Sequence, residues 1–354
     1  MANYSAAQVV SPAIQRTKWF LFQPFRLGRF LKLTLVATFT EGGMSSCNFN
    51  SSFPSSHSGS SGSGVPFHWP AMHWPALPVV LGIIALVCVI VIPLYILIAY
   101  LLIRLRFAYF DCVLHGQDRI APAWGRYHRQ ALRYLGLALC IGIGFWVVLI
   151  PIGYGLYLHY KPFFDALRAG GGFHFADFAP LIAIVLLGIF GLAIIGYVLE
   201  TTLVSFVLPR MALDDASIGD ALEDTWGDIQ AEPGQFVLFY FLRGLLSVAG
   251  SIVAGIVLLV PFGIVVVIGA LLVVALKAVS TAAALIVGIP LGLLVVGAFV
   301  VATIGAGGTI GTFRRNYELL FYAARYPRMA QILWPPQPSL PPPYWGTVAP
   351  PAIG

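Results

Sequence analysis

Charged residues are scarce in this chain, since only 10% of its 354 residues are Asp, Glu, Lys or Arg, against roughly 25% in a typical soluble domain. The mean hydropathy is +0.87, and a soluble protein of this length could not hide so much apolar surface. Several apolar runs exceed the ~20 residues that a helix needs to cross a ~30 Å hydrocarbon core. The composition therefore predicts an all-α fold, a polytopic transmembrane helical bundle of five to six spans with amphipathic interfacial helices.

Catalytic and metal-binding motifs are also missing. The sequence holds no HExxH, no GxSxG and no phosphate loop. The glycine-rich residues 305–311 lack the lysine of a phosphate loop and indicate either close helix packing or the exit of the last span. The four cysteines have no metal or disulfide spacing. His68 and His73, in two HWPA repeats, lack further ligands nearby and are typical of membrane anchors. We expect a non-enzymatic protein with no catalytic residue, no cofactor and no metal.

Composition divides the chain into five parts. The first mixes basic with aromatic and aliphatic residues, which favours an amphipathic helix in the membrane interface, with a short first crossing as the alternative. Ser/Gly-rich and Pro-rich stretches cannot form a packed core. The predicted parts are an interfacial segment (1–42), a flexible loop (43–76), a transmembrane helical domain (77–312), a second interfacial helix (313–334) and a disordered tail (335–354).

Charge placement predicts the topology of the transmembrane domain. The Arg-rich segment 104–133 should lie in the cytoplasm, as should the tail that follows the last span. That arrangement needs five full crossings, so the short apolar run 262–276 is interpreted as a re-entrant element. The net charge of +6 predicts contacts with anionic lipid and no nucleic-acid partner. The predicted crossings are 77–103, 134–158, 178–208, 235–260 and 282–308.

Two charges interrupt the apolar runs. Glu200 and Arg243 each lie about eight residues inside the cytoplasmic end of their span, which is ~12 Å of helix. Adjacent antiparallel helices would place them at the same depth, and an ionisable group in hydrocarbon needs a partner. We therefore predict an intramembrane ion pair between Glu200 and Arg243. A polar site for a substrate or a proton is the alternative interpretation.

An acidic segment, 214–232, follows the third span. Its residues 217–230 have the spacing of an amphipathic helix, with aspartates repeating every fourth position opposite an apolar stripe. Because the basic segment 104–133 should face the same side of the membrane, we expect the two segments to attract each other and to dock.

Residues 206–243 are similar in sequence to a group of known proteins. The string FVLPRMALDDASIGDALEDTWGDIQAEPGQFVLFYFLR, with the opening KWFLFQPFRLGRFLKLTLVATFTEGG and the exit RRNYELLFY, is similar to a group of uncharacterised prokaryotic multi-span proteins. These resemble the membrane portion of glycerophosphodiester phosphodiesterases. The chain lacks the catalytic barrel and the acidic metal-binding motif of those enzymes. The resemblance implies an architecture and no phosphodiesterase activity.

The apolar composition and the missing catalytic motifs determine which functions we expect. We expect an integral, multi-pass protein of the inner or plasma membrane that acts as a scaffold, an accessory subunit or a lipid-associated factor. Its expected partners are the lipid bilayer, anionic lipids and another membrane protein. A small-molecule transporter or permease is the alternative, although no convincing internal repeat supports it.

Overall fold

The computed structural model describes residues 5–23, 25–42, 77–117, 120–168 and 175–334, and no strand occurs within these ranges. The predicted loop 43–76, with both HWPA repeats, and the predicted tail 335–354 lie outside them. The helices are α1 (Val10–Phe22), α2 (Leu27–Ala37), the π-helix π1 (Thr38–Gly42), α3 (Leu77–His115), α4 (Ala121–Arg126), α5 (His128–Arg168), α6 (Phe175–Thr202), the π-helix π2 (Leu203–Val207), α7 (Leu208–Leu213), α8 (Ile218–Ala231), α9 (Pro233–Val279), α10 (Thr281–Ala323) and α11 (Pro327–Leu333).

Five helical segments are long and apolar enough to cross a membrane, which confirms the predicted fold class. A helix is suited to cross hydrocarbon because it satisfies its own backbone hydrogen bonds. The segments are Ala85–His115, His128–Pro162, Ala179–Leu213, Pro233–Val279 and Thr281–Ala323.

The predicted re-entrant element 262–276 is wrong. These residues are part of α9, a single helix of 47 residues with Pro261 inside it, about 70 Å long at 1.5 Å per residue. The proline removes one backbone hydrogen bond but does not end the helix. The chain turns only at Ser280, whose hydroxyl accepts a bond from Ala283 N and caps the start of α10.

The last long helix also differs from the prediction. Residues 313–323, expected in a separate interfacial helix, continue α10 without a break, and most of them are buried. Only the short α11 stands apart after them. The charges at this end of α10 have partners inside the protein, as shown below, so they do not need water or lipid headgroups.

Nearly all buried residues gather at one end of the molecule, which we call the base. It comprises α1, α2, π1, α4, π2, α7, α8 and α11, the last turns of α3, α6 and α10, and the first turns of α5 and α9. Phe206, Phe239 and Phe321 lie at its centre, with ring centroids 4.4–6.3 Å apart. The base contains the Arg-rich segment 104–133, whose cytoplasmic side stays a prediction.

The rest of the five spans we call the arms. Within the most apolar 18 residues of each span, between 0% and 11% are buried. Pairs of arms do touch: Phe262 of α9 and Phe299 of α10 have ring centroids 5.1 Å apart. Most arm side chains nevertheless face outward, so the compact part of the fold is the base.

The segment predicted as an N-terminal interfacial helix forms a helical hairpin of α1 and α2 that packs on α10. Gly308 is the point of closest approach, because a Cβ built there would lie 2.3 Å from the carbonyl oxygen of Thr34. Phe30 covers Gly305, and Asn316 donates to Thr17 Oγ1 over 3.1 Å. The close helix packing predicted for residues 305–311 is confirmed.

Candidate functional site

A cluster of buried charges lies in the base where π1, π2, α9 and α10 meet. Arginine and glutamate side chains from five elements take part, and a buried charge is tolerated only when it is paired and hydrogen-bonded. The members, which we call the charge cluster, are Glu41, Arg106, Glu200, Arg243, Arg314, Arg315 and Glu318.

Glu318 is the centre of the cluster and its most buried carboxylate, with 1% of its side chain exposed. One oxygen accepts from Arg243 Nε over 2.7 Å, and the other accepts from Arg315 Nη1 over 3.0 Å. Arg243 also donates to the Thr201 hydroxyl over 2.8 Å. These hydrogen bonds connect three helices, namely α10, α9 and the end of α6, around one carboxylate.

Glu41 forms the second half of the cluster. Arg314 donates to both its backbone and its carboxylate oxygens, the latter over 3.2 Å, and Arg315 Nε lies 3.9 Å from the same carboxylate. Glu41 belongs to π1, so the N-terminal hairpin reaches the arginines of α10 through this one acidic residue.

The two π-helices supply backbone acceptors to the same arginines. Arg106 Nε donates to the carbonyl of Thr40 in π1 over 2.8 Å, and Arg315 Nη1 donates to the carbonyl of Val204 in π2 over 3.0 Å. π-helical turns are rare, and they occur frequently at functional sites. Here they direct main-chain oxygens toward guanidinium groups.

The predicted ion pair between Glu200 and Arg243 is not formed, although both residues are described. Glu200 accepts from Arg106 Nη2 of α3 over 3.1 Å, and Arg243 pairs with Glu318. The two helices do meet at the predicted level, since Arg243 contacts Thr201, next to Glu200. The actual partners, Arg106 and Glu318, lie beyond the apolar runs, where hydropathy does not mark a charge as buried.

The cluster is unbalanced. Its members are four arginines and three glutamates, which leaves one excess positive charge in a mostly buried place. Two of its own atoms, Arg314 Nε and Arg315 Nε, and the hydroxyl of the neighbouring Tyr317 are buried and find no hydrogen-bond partner within the described part of the chain. The site can therefore accept an anionic or hydrogen-bond-accepting group.

The acidic segment docks on the base largely through other arginines than predicted. Arg210 donates to Asp224 and Asp228, each over 2.6 Å, and stabilises α8. Of the segment 104–133, Arg133 lies 3.6 Å from Asp215. Further pairs join Arg325 to Glu232 and Arg328 to Asp214, each at 2.6 Å. The docking predicted with the basic segment is thus seen at Asp215.

A second polar group closes the turn between α3 and α5. Tyr127 donates to Asp111 over 2.9 Å, and Arg16 of α1 donates to the carbonyl oxygens of Val113 and Leu114 at the end of α3. Burial, together with the neighbouring Asp111 carboxylate, raises the pKa of Tyr127 to about 12. Burial lowers the pKa of Arg16. These contacts hold the base together.

Within the described ranges, no group of three or more His, Cys, Asp and Glu side chains could hold a metal ion. The comparisons with known proteins give one match. A family model described as a family of unknown function (DUF7544) matches residues 4–332, which is almost the whole chain. No curated protein and no solved structure matches. The resemblance to the membrane portion of glycerophosphodiester phosphodiesterases therefore gains no support.

Proposed function

This chain belongs to the DUF7544 family of unknown function, and we propose that it is a non-enzymatic membrane scaffold whose arms bind other membrane helices. The observation that carries the proposal is the contrast between the tightly packed base and arms that have between 0% and 11% of their most apolar residues buried. Helices that belonged to one closed bundle would bury one face against each other. These arms leave most faces open to lipid or to partner helices.

Glycine placement supports lateral association. Gly188 and Gly191 of α6 lie three residues apart on one face, and nothing approaches within 4 Å of the Cβ position at either residue. A glycine in a helix costs about 1 kcal/mol relative to alanine. Small residues in membrane helices allow close approach of a neighbouring backbone. In the base, the comparable notch at Gly308 is filled by α2, whereas the notch on α6 is empty.

A transporter is the less supported alternative. Substrate sites of such proteins lie near the membrane centre, where broken helices expose backbone groups. Here α9 and α10 run unbroken past Pro261 and Pro290. Their apolar arm sequences hold a single charged residue, Lys277, next to the turn between them. The charged residues lie instead in the base, which suits a structural role at the inner or plasma membrane surface.

Extraction into polymer-bounded nanodiscs tests the proposal, because lateral partners stay with their lipids. We expect the wild-type particle to contain more than one membrane polypeptide, and its mass shows whether the partner is a second copy or another protein. Gly188→Leu together with Gly191→Leu should fill the notch and give a particle with one chain at unchanged yield.

Ala193→Leu is the matched control, because it adds the same kind of bulk on the opposite face of α6 and should leave assembly intact. A wild-type particle that always holds a single chain and no other membrane protein would refute the scaffold proposal. Concentrative uptake of a solute into proteoliposomes would favour the transporter.

A further inference from the structure

An apolar groove of about 720 Å³ opens on the side of the molecule, between the N-terminal hairpin and helices α9 and α10. Its walls include one face of α9 between residues 246 and 258 and one face of α10 between residues 301 and 313, with Ile14, Leu27 and Phe30 of the hairpin on the third side. A stretch of 13 helical residues is about 18 Å long. That length is close to the ~15 Å of one bilayer leaflet, so the groove is sized for one extended hydrocarbon chain.

The end of this groove nearest the base lies beside residues of the charge cluster. A small cavity of about 10 Å³ adjoins it there, and the two share Leu246, Ile310 and Phe313 as walls. The other walls of the small cavity include Arg243, Arg314 and Tyr317. A volume of this size holds roughly one water-sized group. The groove therefore leads from the lipid-facing side to a narrow pocket beside the charge cluster.

The side chains around this small cavity, which we call the pocket, include buried hydrogen-bond donors without an acceptor among the described residues. The charge cluster carries one excess positive charge, and a buried positive charge is costly without a counter-anion. Arg314 Nε and the Tyr317 hydroxyl are buried without a partner among the described residues. Arg314 Nε is a donor, and the hydroxyl can also donate. A negatively charged oxygen in the pocket would satisfy both groups and balance the cluster.

We propose that this groove and pocket bind a single-chain anionic amphiphile, namely a long-chain carboxylate. The chain lies along the groove toward the membrane centre, and a carboxylate oxygen reaches the pocket beside Arg314 and Tyr317. The pocket is too small for a phosphodiester with its glycerol. Its position at the level of the base matches a headgroup at the cytoplasmic membrane surface. The proposal does not depend on the scaffold function, because it involves no arm-to-arm contact.

Binding of palmitate to the purified full-length protein in a non-ionic detergent tests the proposal, with hexadecanol as the uncharged probe. We expect saturable binding of palmitate and much weaker binding of hexadecanol. Tyr317→Phe removes only a hydroxyl without a partner, and its ring still stacks on Phe239 with centroids 5.4 Å apart. The variant should fold normally and bind palmitate roughly tenfold more weakly, since a hydrogen bond to a charged group is lost.

Ala254→Trp places a large side chain inside the groove and should abolish binding. Ile252→Trp is the matched control, because Ile252 is on the same helix and exposed outside the groove, and it should bind as wild type. Equal binding of palmitate and hexadecanol would overturn the anionic pocket. Unchanged binding in Ala254→Trp would overturn the groove. Binding of phosphatidylglycerol with no binding of palmitate would overturn the carboxylate headgroup.

Discussion

The base and the arms of this protein contain the same kinds of apolar residue but use them in opposite ways. In the base, Phe239 stacks on Phe321 with ring centroids 4.4 Å apart, and both side chains are fully buried. In the arms, residues such as Leu259 and Ile286 are each 73% exposed. Lipid tails are as apolar as leucine, so an arm gains little from burying itself. The base is the part where packing determines the fold.

Charge follows the same division. The arginines and glutamates of the base are joined in a network, whereas the arms are almost free of charge. Removing one charge from a buried network leaves its partners buried without a counter-charge and lowers the free energy of unfolding. Replacing an exposed side chain at the end of an arm changes that free energy little. The comparison teaches that the stability of the protein is concentrated at one end. Substitutions in the base should therefore have larger effects than matched substitutions outside the network.

The largest effect is expected from Glu318→Gln, which leaves Arg243 and Arg315 without their shared carboxylate. We expect a loss of about 3–5 kcal/mol in the free energy of unfolding, measured by denaturation in mild detergent. Glu200→Gln should cost less, because Glu200 is 30% exposed and pairs with one arginine.

Lys277→Gln in the arms should stay within about 0.5 kcal/mol of the wild type. A double exchange of Glu200 with Arg243 should not restore stability, since the two do not pair. Equal loss for Glu318→Gln and Lys277→Gln would remove the distinction between base and arms.

A smaller but still clear effect is expected at the closest helix contact. Gly308→Ala places a methyl group 2.3 Å from the carbonyl oxygen of Thr34, so α2 must move away from α10. We expect a destabilisation of roughly 1–3 kcal/mol, read from the thermal unfolding midpoint.

Gly297→Ala is the control for this contact, because nothing lies within 4 Å of the Cβ position there. Its expected change is neutral or stabilising by up to ~1 kcal/mol. A stable Gly308→Ala protein would show that the hairpin is not packed as described.

Arg210→Gln should have a moderate effect, because it frees α8 from the rest of the base. Two charge-assisted bonds, to Asp224 and Asp228, are lost, and we expect about 1–2 kcal/mol. Limited proteolysis should cut residues 214–232 faster in the variant. Arg126→Gln, with Arg126 65% exposed and 3.9 Å from Asp111, should leave the cutting rate unchanged.

The smallest effect is a pH dependence at Tyr127. Its pKa rises on folding from 10.0 to about 12, so the folded protein binds the phenolic proton more tightly than the unfolded chain. The resulting stability is fully present below pH 10 and is lost as the pH rises through about 12. Tyr127→Phe should therefore lose less stability between pH 9 and pH 11 than the wild type. The same loss in both proteins would contradict the assignment.

The arms were predictable from the sequence, and the base was not. Hydropathy and length alone identify spans, because hydrocarbon imposes one simple requirement on a crossing helix. The start of α3 at residue 77 follows from the apolar run. The predicted end of the third crossing at residue 208 was wrong, because the helical segment continues through Pro209, in the first turn of α7, to Leu213. The continuity of α9 through Pro261 did not follow, since a proline inside an apolar run is compatible with a break and with a helix.

The charge cluster escaped prediction for a physical reason. Arg314 and Glu41 are 273 residues apart in sequence, and no local pattern connects them. Glu318 lies after the last apolar run, where a charge is normally exposed at the membrane surface. The spacing of Arg315 and Glu318, three residues apart on one helix, was the one local signal. It indicates a pair but does not indicate burial.

The π-helix at residues 203–207 makes the chain sensitive to its own length. A π-helical turn corresponds to an α-helical turn with one inserted residue. Deleting one residue there would restore ordinary helical winding and leave the following helix in nearly its present orientation. Arg210 would therefore still face Tyr322, whose hydroxyl it reaches over 2.6 Å. The carbonyl oxygen of Val204, which accepts from Arg315 Nη1 over 3.0 Å, would return to the hydrogen bonds of the helix, so the deletion would remove a main-chain acceptor from the charge cluster.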